Sequence, residues 1–336
     1  MVQDTSNLSQ DTAIVIVTHD RPDSLHNLIS DLHGSLLPES VRELIVIENG
    51  NHKCSSSAIC SSVRLPLSVS YFIQSDPSKS KALNFAVALT RCQLIIFFDD
   101  DIRLEPNTIR EYISAAERYG AGHFFGGSIL ADVAETPPAW LLDFLPSSAR
   151  GFDLGEYEIH VDRPILVGSN WAARKTDILA ADGFPEYLGP GKGYTSVGEE
   201  SILQRRLLKL GLSAVYLPSA RVRHRVEKGE NNLQFALDRR FQFGLATMLA
   251  EQVEQGLRTS LFPPVWIVRR TIELNIKMFF KLVSGSNLHD RADIEFRLAE
   301  ARGALAAMSL LRRIPLASEH RPAFRSLAPI NQPNEH

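Results

Sequence analysis

The chain has 336 residues, which is enough for one large domain with an extension or for two ordinary domains. Its 36 Lys and Arg against 39 Asp and Glu give a formal net charge of −3, which excludes a dedicated nucleic-acid binder with a clear basic excess. A hydrophobic fraction of 44% and a charged fraction of 22% exclude wholesale disorder. Cys54, Cys60 and Cys92 are an odd number without zinc spacing, which favours a reducing, cytoplasmic compartment over a disulfide framework.

The N-terminal residues 1–11 are polar, with neither a positively charged start nor an apolar run. We therefore expect a flexible N-terminus rather than a secretory signal. No window reaches the roughly 18 uninterrupted apolar residues that predict a spanning helix. The sequence predicts a protein that is soluble or lies on a membrane surface.

Short apolar runs alternate with amphipathic stretches through the first two thirds of the chain. The runs that predict buried strands are 13–17, 44–47, 69–73, 94–98 and 124–130. The stretches that predict helices are 22–32, 79–90 and 106–119. This alternation is typical of an α/β architecture whose mostly parallel sheet is covered by helices on both faces.

After about residue 226 the sequence predicts only helices, at about 232–255, 264–283 and 291–311. The second has one apolar stripe formed by Val265, Val268, Ile272, Ile276, Phe279 and Val283. Its polar side is basic, with Arg269, Arg270, Lys277 and Lys281 against Glu273. Such a helix predicts contact with an anionic membrane surface. The alternative is that the stripe packs on the α/β unit or on a second subunit.

Three consecutive carboxylates, Asp99-Asp100-Asp101, follow directly after the fourth predicted strand. Ligands of parallel α/β sheets bind beyond the carboxyl ends of the strands. On an extended chain Asp99 and Asp101 would point the same way, and their hard oxygens suit Mg²⁺ or Mn²⁺ bound to a substrate diphosphate. The alternative is a solvated acidic turn before the next helix.

Two glutamates, Glu199 and Glu200, stand at the start of a predicted helix after Gly198. Anions are stabilised there by the helix dipole, and one of them is also placed to act as a general base. His224 follows an apolar strand at 214–217 and is either structural or a ligand. Trp140, in a loop bounded by proline, either stacks on a sugar or covers the sheet.

These motifs, in this order, resemble the family 2 glycosyltransferases. The matching segments are Thr18-His19-Asp20-Arg21-Pro22, Ile47-Glu48-Asn49-Gly50, Lys79-Ser80-Lys81-Ala82-Leu83-Asn84, Phe98-Asp99-Asp100-Asp101, Gly168-Ser169-Asn170-Trp171, Gly198-Glu199-Glu200 and Val222-Arg223-His224. Glu48 and Glu200 depart from the family pattern, which has aspartate more often at both positions. The longer Glu200 side chain keeps the carboxylate chemistry but changes its reach.

The resemblance implies a GT-A, Rossmann-like fold with a mostly parallel sheet flanked by helices and a C-terminal helical extension. The implied divisions are a flexible N-terminus at 1–11, a GT-A domain at 12–230, the helical extension at 231–314 and a flexible tail at 315–336. The implied activity is inverting transfer of a sugar from a nucleotide-sugar to an acceptor hydroxyl, in bacterial polysaccharide or glycoconjugate synthesis. The implied location is the cytoplasm. Peripheral contact with the inner face of the cell membrane is a further expectation.

The resemblance also implies a role for each site residue. Glu200 would be the catalytic base. Donor binding would involve Thr18, Arg21, Glu48, Lys79, Asp99 and Asp100; the acceptor side would comprise Asn170, Trp171 and Glu199. Mn²⁺ or Mg²⁺ would be held by Asp101 and His224. The expected partners are the nucleotide-sugar and a glycan or lipid-linked acceptor, with no nucleic acid, and a membrane or a second subunit at 264–283.

Three other functions compete with this interpretation. A degenerate GT-A protein would bind carbohydrate or act as a scaffold. A haloacid-dehalogenase-type phosphatase would carry its Asp-x-Asp after the first strand with Thr next, whereas Ile102 and Arg103 follow the triplet here. A nucleotidyltransferase would have a glycine-rich loop after the first strand, and residues 18–22 contain no glycine.

Overall fold

The computed structural model describes residues 11–35, 37–50, 56–191, 194–255, 263–285 and 287–311. The strands are β1 (Thr12–Thr18), β2 (Val41–Asn49), β3 (Ser68–Gln74), β4 (Leu94–Asp99), β5 (Ile102–Leu104), β6 (His123–Val133), β7 (Ile159–Val161), β8 (Asn170–Arg174) and β9 (Ser213–Val226). The helices are α1 (Pro22–Gly34), α2 (Ser57–Ser62), α3 (Lys79–Leu89), α4 (Thr108–Tyr119), α5 (Ser147–Arg150), α6 (Lys175–Ala180), α7 (Glu199–Lys209), α8 (Leu233–Glu254), α9 (Val265–Val283) and α10 (Leu288–Leu310). Cys54 and the expected tail at 315–336 lie outside the described residues.

The strands form one nine-stranded sheet in the order β3-β2-β1-β4-β8-β6-β9-β5, with β7 also paired to β9. The strands β1 to β4 are parallel, and β6 and β9 run in the same direction, whereas β5, β7 and β8 run the opposite way. The expected mostly parallel sheet is therefore confirmed. All seven residues of β1 are buried, as in sheets that carry helices on both faces.

Three strands are absent from the sequence prediction: β5, β7 and β8. Two of them have three residues each, too few to show a period. The third, β8, has the sequence Asn-Trp-Ala-Ala-Arg, which lacks the β-branched residues typical of strands. It nevertheless lies at the centre of the sheet, where Trp171 stacks on Phe97 of β4 with ring centroids 5.0 Å apart.

The C-terminal helices α8 and α10 touch backbone to backbone. A Cβ built on Gly244 of α8 would lie 2.1 Å from the Glu300 carbonyl oxygen of α10, and one on Gly303 would lie 2.0 Å from the Phe241 oxygen. Such approaches need glycine, because any side chain would overlap the facing helix. These two glycines, although unfavourable for helix formation, thus allow α8 and α10 to pack in direct backbone contact.

In the part of the chain that the structure describes, the apolar stripe predicted on α9 is exposed. Ile267 and Leu274 face the neighbouring helices, and they lie on a different side of α9. The exposed residues include the whole predicted stripe, Val265, Val268, Ile272, Ile276, Phe279 and Val283. Packing of this stripe on the α/β unit is therefore a wrong expectation. Among the described helices, none has the length and hydropathy to cross a membrane.

The α8–α10 contact predicts an unusual response to alanine. Gly244→Ala gains helix propensity worth about 1 kcal/mol, but the new methyl overlaps the Glu300 carbonyl, and overpacking costs about 1–3 kcal/mol. We expect a net loss of stability in urea unfolding. Gly34→Ala in α1, where the methyl meets nothing within 4 Å, should leave stability unchanged or raise it by about 0.5–1 kcal/mol. Equal effects at the two positions would contradict the close contact.

Candidate active site

A cleft of about 1300 Å³ opens at the carboxyl ends of β1 and β4. Its inner part is lined by Thr18, Arg21, Lys79, Asp99, Asp100, Asp101, Glu199, Glu200 and His224. Nine of the residues expected from the sequence therefore meet in one cavity. The reason is topological, since parallel strands end at the same edge of the sheet and α3 and α7 begin there.

Lys79, the first residue of α3, stands among three carboxylates. Its Nζ lies 2.8 Å from Asp99 Oδ1, 2.8 Å from Glu200 Oε1 and 3.8 Å from Glu199 Oε1. Burial lowers the pKa of Lys79, but the three negative neighbours outweigh it and raise that pKa well above its ordinary value. A permanent ammonium thus ties the end of β4 to the start of α7.

The two glutamates at the start of α7 have different surroundings. Burial, together with the charge on Glu200, raises the pKa of Glu199 well above its ordinary value, against the opposing effect of Lys79. Glu199 is only 3% exposed, whereas Glu200 is 14% exposed and faces the cleft. Glu200 is therefore the more accessible carboxylate of the two and the better placed base.

Two glycines make room for these glutamates, and sequence reasoning did not assign them this role. A Cβ on Gly168 would lie 2.4 Å from Cδ of Glu200, and one on Gly189 would lie 2.9 Å from Cδ of Glu199. The carboxyl groups therefore rest against bare backbone. The only sequence signal is the glycine at the start of the Gly168-Ser169-Asn170 segment.

The aspartate triplet divides its contacts between two cations. Asp99 binds Lys79, whereas Asp101 Oδ2 accepts from Arg21 Nη1 at 2.7 Å. Asp99 ends β4 and Asp101 lies in the turn before β5, yet both line the same cleft. Asp100 accepts from Thr18 Oγ1 at 2.6 Å and from Arg21 at 3.3 Å. Burial, and then the charge of Asp101, raise the pKa of Asp100 to about 6 against these contacts.

Asp101 and His224 come together because β5 pairs with β9, which places His224 opposite Ile102. His224 Nε2 lies 3.4 Å from Asp101 Oδ1. Asp101 Oδ1 and His224 Nδ1 are buried and lack a hydrogen-bond partner among the described residues. The same part of the chain contains no ready-made group of three His, Cys, Asp or Glu ligands. Two protein ligands fit Mg²⁺ or Mn²⁺ that is otherwise coordinated by water and substrate phosphate.

Two residues expected on the acceptor side are buried structural residues. Trp171 is fully buried in β8 against Phe97. Asn170 is also fully buried, accepts from the Tyr112 hydroxyl and donates to the carbonyl of Ala220. Neither lines the cleft, so their expected contact with an acceptor is wrong. They were misassigned because a motif match does not show which face of a strand is buried.

Glu48 and Trp140 also lie away from the cleft. Glu48 is fully buried, and its Oε1 accepts from the Asp20 backbone N–H at 3.1 Å. Asp20 has a positive φ of 52°, so Glu48 supports the turn after β1 and its expected contact with the donor is wrong. Trp140 packs edge-on against Phe144, which agrees with the structural alternative for this residue.

The outer part of the cleft is formed by residues that the sequence did not single out. Arg150 of α5, Arg239, Arg240 and Phe243 of α8, and Phe296 of α10 line it. The sequence signal that could have indicated this lining is the helical spacing of arginine and phenylalanine within 235–243. That pattern is also typical of an ordinary helix surface, and only the fold shows that it faces the cleft.

Solved structures share this architecture. The chain matches the mannosyltransferase PcManGT from Pyrobaculum calidifontis in complex with GDP-Man and Mn²⁺ over 94% of this chain and 79% of that one, at 12% identity and a TM-score of 0.51. It matches GalNAc-T7 with UDP, GalNAc and Mn²⁺ over 75% of this chain and 52% of that one, at 10% identity and a TM-score of 0.53. The chain thus spans about half the length of the second protein. These similarities assign the GT-A fold.

No curated protein matches the sequence. Residues 13–179 match the family model described as glycosyl transferase family 2. The matched range contains β1 to β4 and the aspartate triplet, which supply part of the inner cleft, whereas Glu199, Glu200 and His224 lie beyond it. Just under half of the chain thus matches glycosyl transferase family 2, and the resemblance seen in its motifs is confirmed.

The position of Lys79 predicts that its loss destabilises the fold. Lys79→Met leaves Asp99, Glu199 and Glu200 without their shared cation, and removing one partner from a buried ion pair costs about 3–5 kcal/mol. Urea unfolding near neutral pH measures the loss. Lys81→Met, two residues along, removes a more exposed pair with Asp76 and should cost at most about 1 kcal/mol. Similar losses for both variants would contradict the structural role of Lys79.

Proposed function

We propose that the protein is an inverting glycosyltransferase that moves a sugar from a nucleotide-sugar to an acceptor hydroxyl. The observation that carries this proposal is the single cleft in which Glu200, Lys79 and the aspartate triplet meet. The family match supports sugar transfer, and the similar solved structures carry GDP-Man or UDP with Mn²⁺. Bacterial polysaccharide or glycoconjugate synthesis in the cytoplasm is the proposed setting.

The donor diphosphate is proposed to lie beside Asp101 and His224, which would hold the divalent cation. When bound, that cation supplies positive charge to the diphosphate leaving group. Arg21, which contacts Asp100 and Asp101, is placed to contact the same phosphates. Thr18 and Asp99 also line this part of the cleft, and we assign them to the nucleoside, with Asp99 at the ribose.

Glu200 is proposed to take the proton from the acceptor hydroxyl. The acceptor oxygen forms a bond to the anomeric carbon while the bond from that carbon to the diphosphate oxygen breaks, which inverts the configuration. The electron pair of the breaking bond leaves with the nucleoside diphosphate. Lys79 holds Glu200 Oε1 at 2.8 Å and so fixes the direction of the carboxylate. Glu199, which is only 3% exposed, shapes the base of the site.

Glu200→Gln is the direct test of this step. The amide keeps the size of the side chain but cannot take a proton, so turnover should fall by about 10²–10⁴. Sugar transfer is measured with a panel of UDP-, GDP- and dTDP-sugars and Mn²⁺, followed by an acceptor screen. Nucleotide affinity, measured by calorimetry, should remain unchanged.

Glu199→Gln is the matched control, because both glutamates share the helix start. We expect a much smaller loss, since the Glu199 side chain is almost fully buried. If Glu199→Gln abolishes transfer and Glu200→Gln does not, the base is Glu199. If the panel binds but neither wild type nor variant turns over, a carbohydrate-binding or scaffold protein replaces the enzyme.

Peripheral membrane association through α9 is the second part of the proposal. Trp266, Ile276, Phe279 and Phe280 are more than half exposed, as are Val265, Ile272 and Val283 of the stripe. The helix carries Arg269, Arg270, Lys277 and Lys281 against Glu273, a net charge of +3 by subtraction. A basic helix with an exposed apolar face fits an anionic lipid surface, where a lipid-linked acceptor would be found.

Vesicle flotation tests the membrane contact. The wild-type chain should float with vesicles that contain anionic lipid, and the Ile276→Glu/Phe279→Glu variant should partition at least tenfold less, because each large apolar side chain contributes about 1.5–3 kcal/mol on burial. Leu210→Glu, at an exposed site at the end of α7, is the control. A wild-type dimer that the double variant dissociates, without any flotation, would assign the stripe to a subunit interface.

A further inference from the structure

The cleft continues from the inner site to a second lobe beneath the C-terminal helices. We define the outer lobe by Arg150, Arg239, Arg240, Phe243 and Phe296. Its walls come from α5, α8 and α10, so they lie mostly beyond residues 13–179, the range that the family model matches. The family match therefore does not indicate which ligand this lobe binds.

The cations of the two lobes differ in their partners. Arg21 and Lys79 of the inner site are bound to carboxylates. Arg240 is bound to Glu300 at 2.7 Å, and its guanidinium stands 4.8 Å from the centre of the Phe296 ring. By contrast, the side chains of Arg150 and Arg239 make no ion pair or hydrogen bond with any residue that the structure describes.

Acidic groups that line the cleft near the outer lobe are already engaged. Asp143 lies 3.1 Å from His289 Nε2. Asp153 accepts from the Gly155 N–H and the Tyr216 hydroxyl. Glu230 accepts from the Glu227 N–H. Each of these carboxylates keeps its charge but has a partner, whereas Arg150 and Arg239, among the described residues, keep their donor groups free for a ligand.

We propose that the outer lobe binds the acceptor through a phosphate group, with Arg239 and Arg150 as its contacts. Guanidinium groups bind phosphate oxygens through paired, charge-assisted hydrogen bonds, and Phe243 and Phe296 offer apolar surface for the group that carries the phosphate. The inference rests on the proposed function, since it takes the lobe that shares a cleft with Glu200 as the acceptor side. It adds the chemical class of the acceptor: a sugar phosphate or a lipid phosphate.

Calorimetry on the full-length chain tests this assignment. The inner site is first saturated with Mn²⁺ and whichever of UDP or GDP binds, and glucose 1-phosphate, dihexanoyl phosphatidic acid and glucose are then titrated in turn. At least one phosphate probe should bind, and glucose should not. Tighter binding of the soluble lipid phosphate indicates a lipid-borne acceptor, and tighter binding of the sugar phosphate indicates a soluble one.

Arg239→Gln should weaken binding of the phosphate probe about tenfold or more, as expected for loss of a charge-assisted contact, and the Arg150→Gln/Arg239→Gln variant should abolish it. Arg110→Gln, at an exposed site on α4 outside the cleft, is the control and should bind normally. Nucleotide affinity should stay within twofold in all variants.

Three results would overturn the proposal. In the first, neither phosphate probe binds. In the second, a probe binds, but Arg239→Gln and the double variant leave its binding unchanged. In the third, Arg239→Gln loses nucleotide affinity, which would assign the lobe to the donor. Failure of the proposed function has a different signature, because no nucleotide would then bind to the wild-type chain. In that case the phosphate probes are titrated with Mn²⁺ alone, so phosphate binding in the outer lobe is still measured.

Discussion

The ion cluster around Lys79 is the contact on which the rest of the site depends. Its ammonium joins Asp99, the last residue of β4, to Glu200, the second residue of α7. These residues are far apart in the chain, and their carboxylates would repel one another without the cation between them. The same contact that joins α3, β4 and α7 therefore also directs the proposed base toward the cleft.

The order of motifs predicted the inner site well, because parallel strands place their carboxyl ends at one edge and the residues after them must meet. It failed where burial decides the role. Asn170 and Trp171 belong to a short strand without strand-like composition, and both side chains turn into the core. Glu48 likewise supports the turn at Asp20. Sequence spacing shows that such residues are near the site, but not whether they reach it.

The C-terminal helices show the opposite limitation. Their existence and approximate bounds followed from the apolar period, yet the period did not show which side of each helix is covered. Gly244 and Gly303 bring α8 and α10 into backbone contact, and α10 contacts α9 where Ile294 and Leu298 meet Leu274. The wider stripe of α9 is left exposed. Arg239 of α8 lines the cleft. The C-terminal helices therefore contribute to the proposed acceptor site as well as to the proposed membrane contact.

The central claim is that the cleft binds a nucleotide-sugar with a divalent cation at Asp101. Calorimetric titration of UDP and GDP in the presence and absence of Mn²⁺ tests it most directly. The wild-type chain is compared with Asp101→Ala. Asp132→Ala, at an exposed position of β6, is the control. The account predicts that Mn²⁺ strengthens binding of one nucleotide to the wild type and to Asp132→Ala, and that Asp101→Ala loses this metal-dependent part. Mn²⁺-dependent affinity that is unchanged in Asp101→Ala would contradict it.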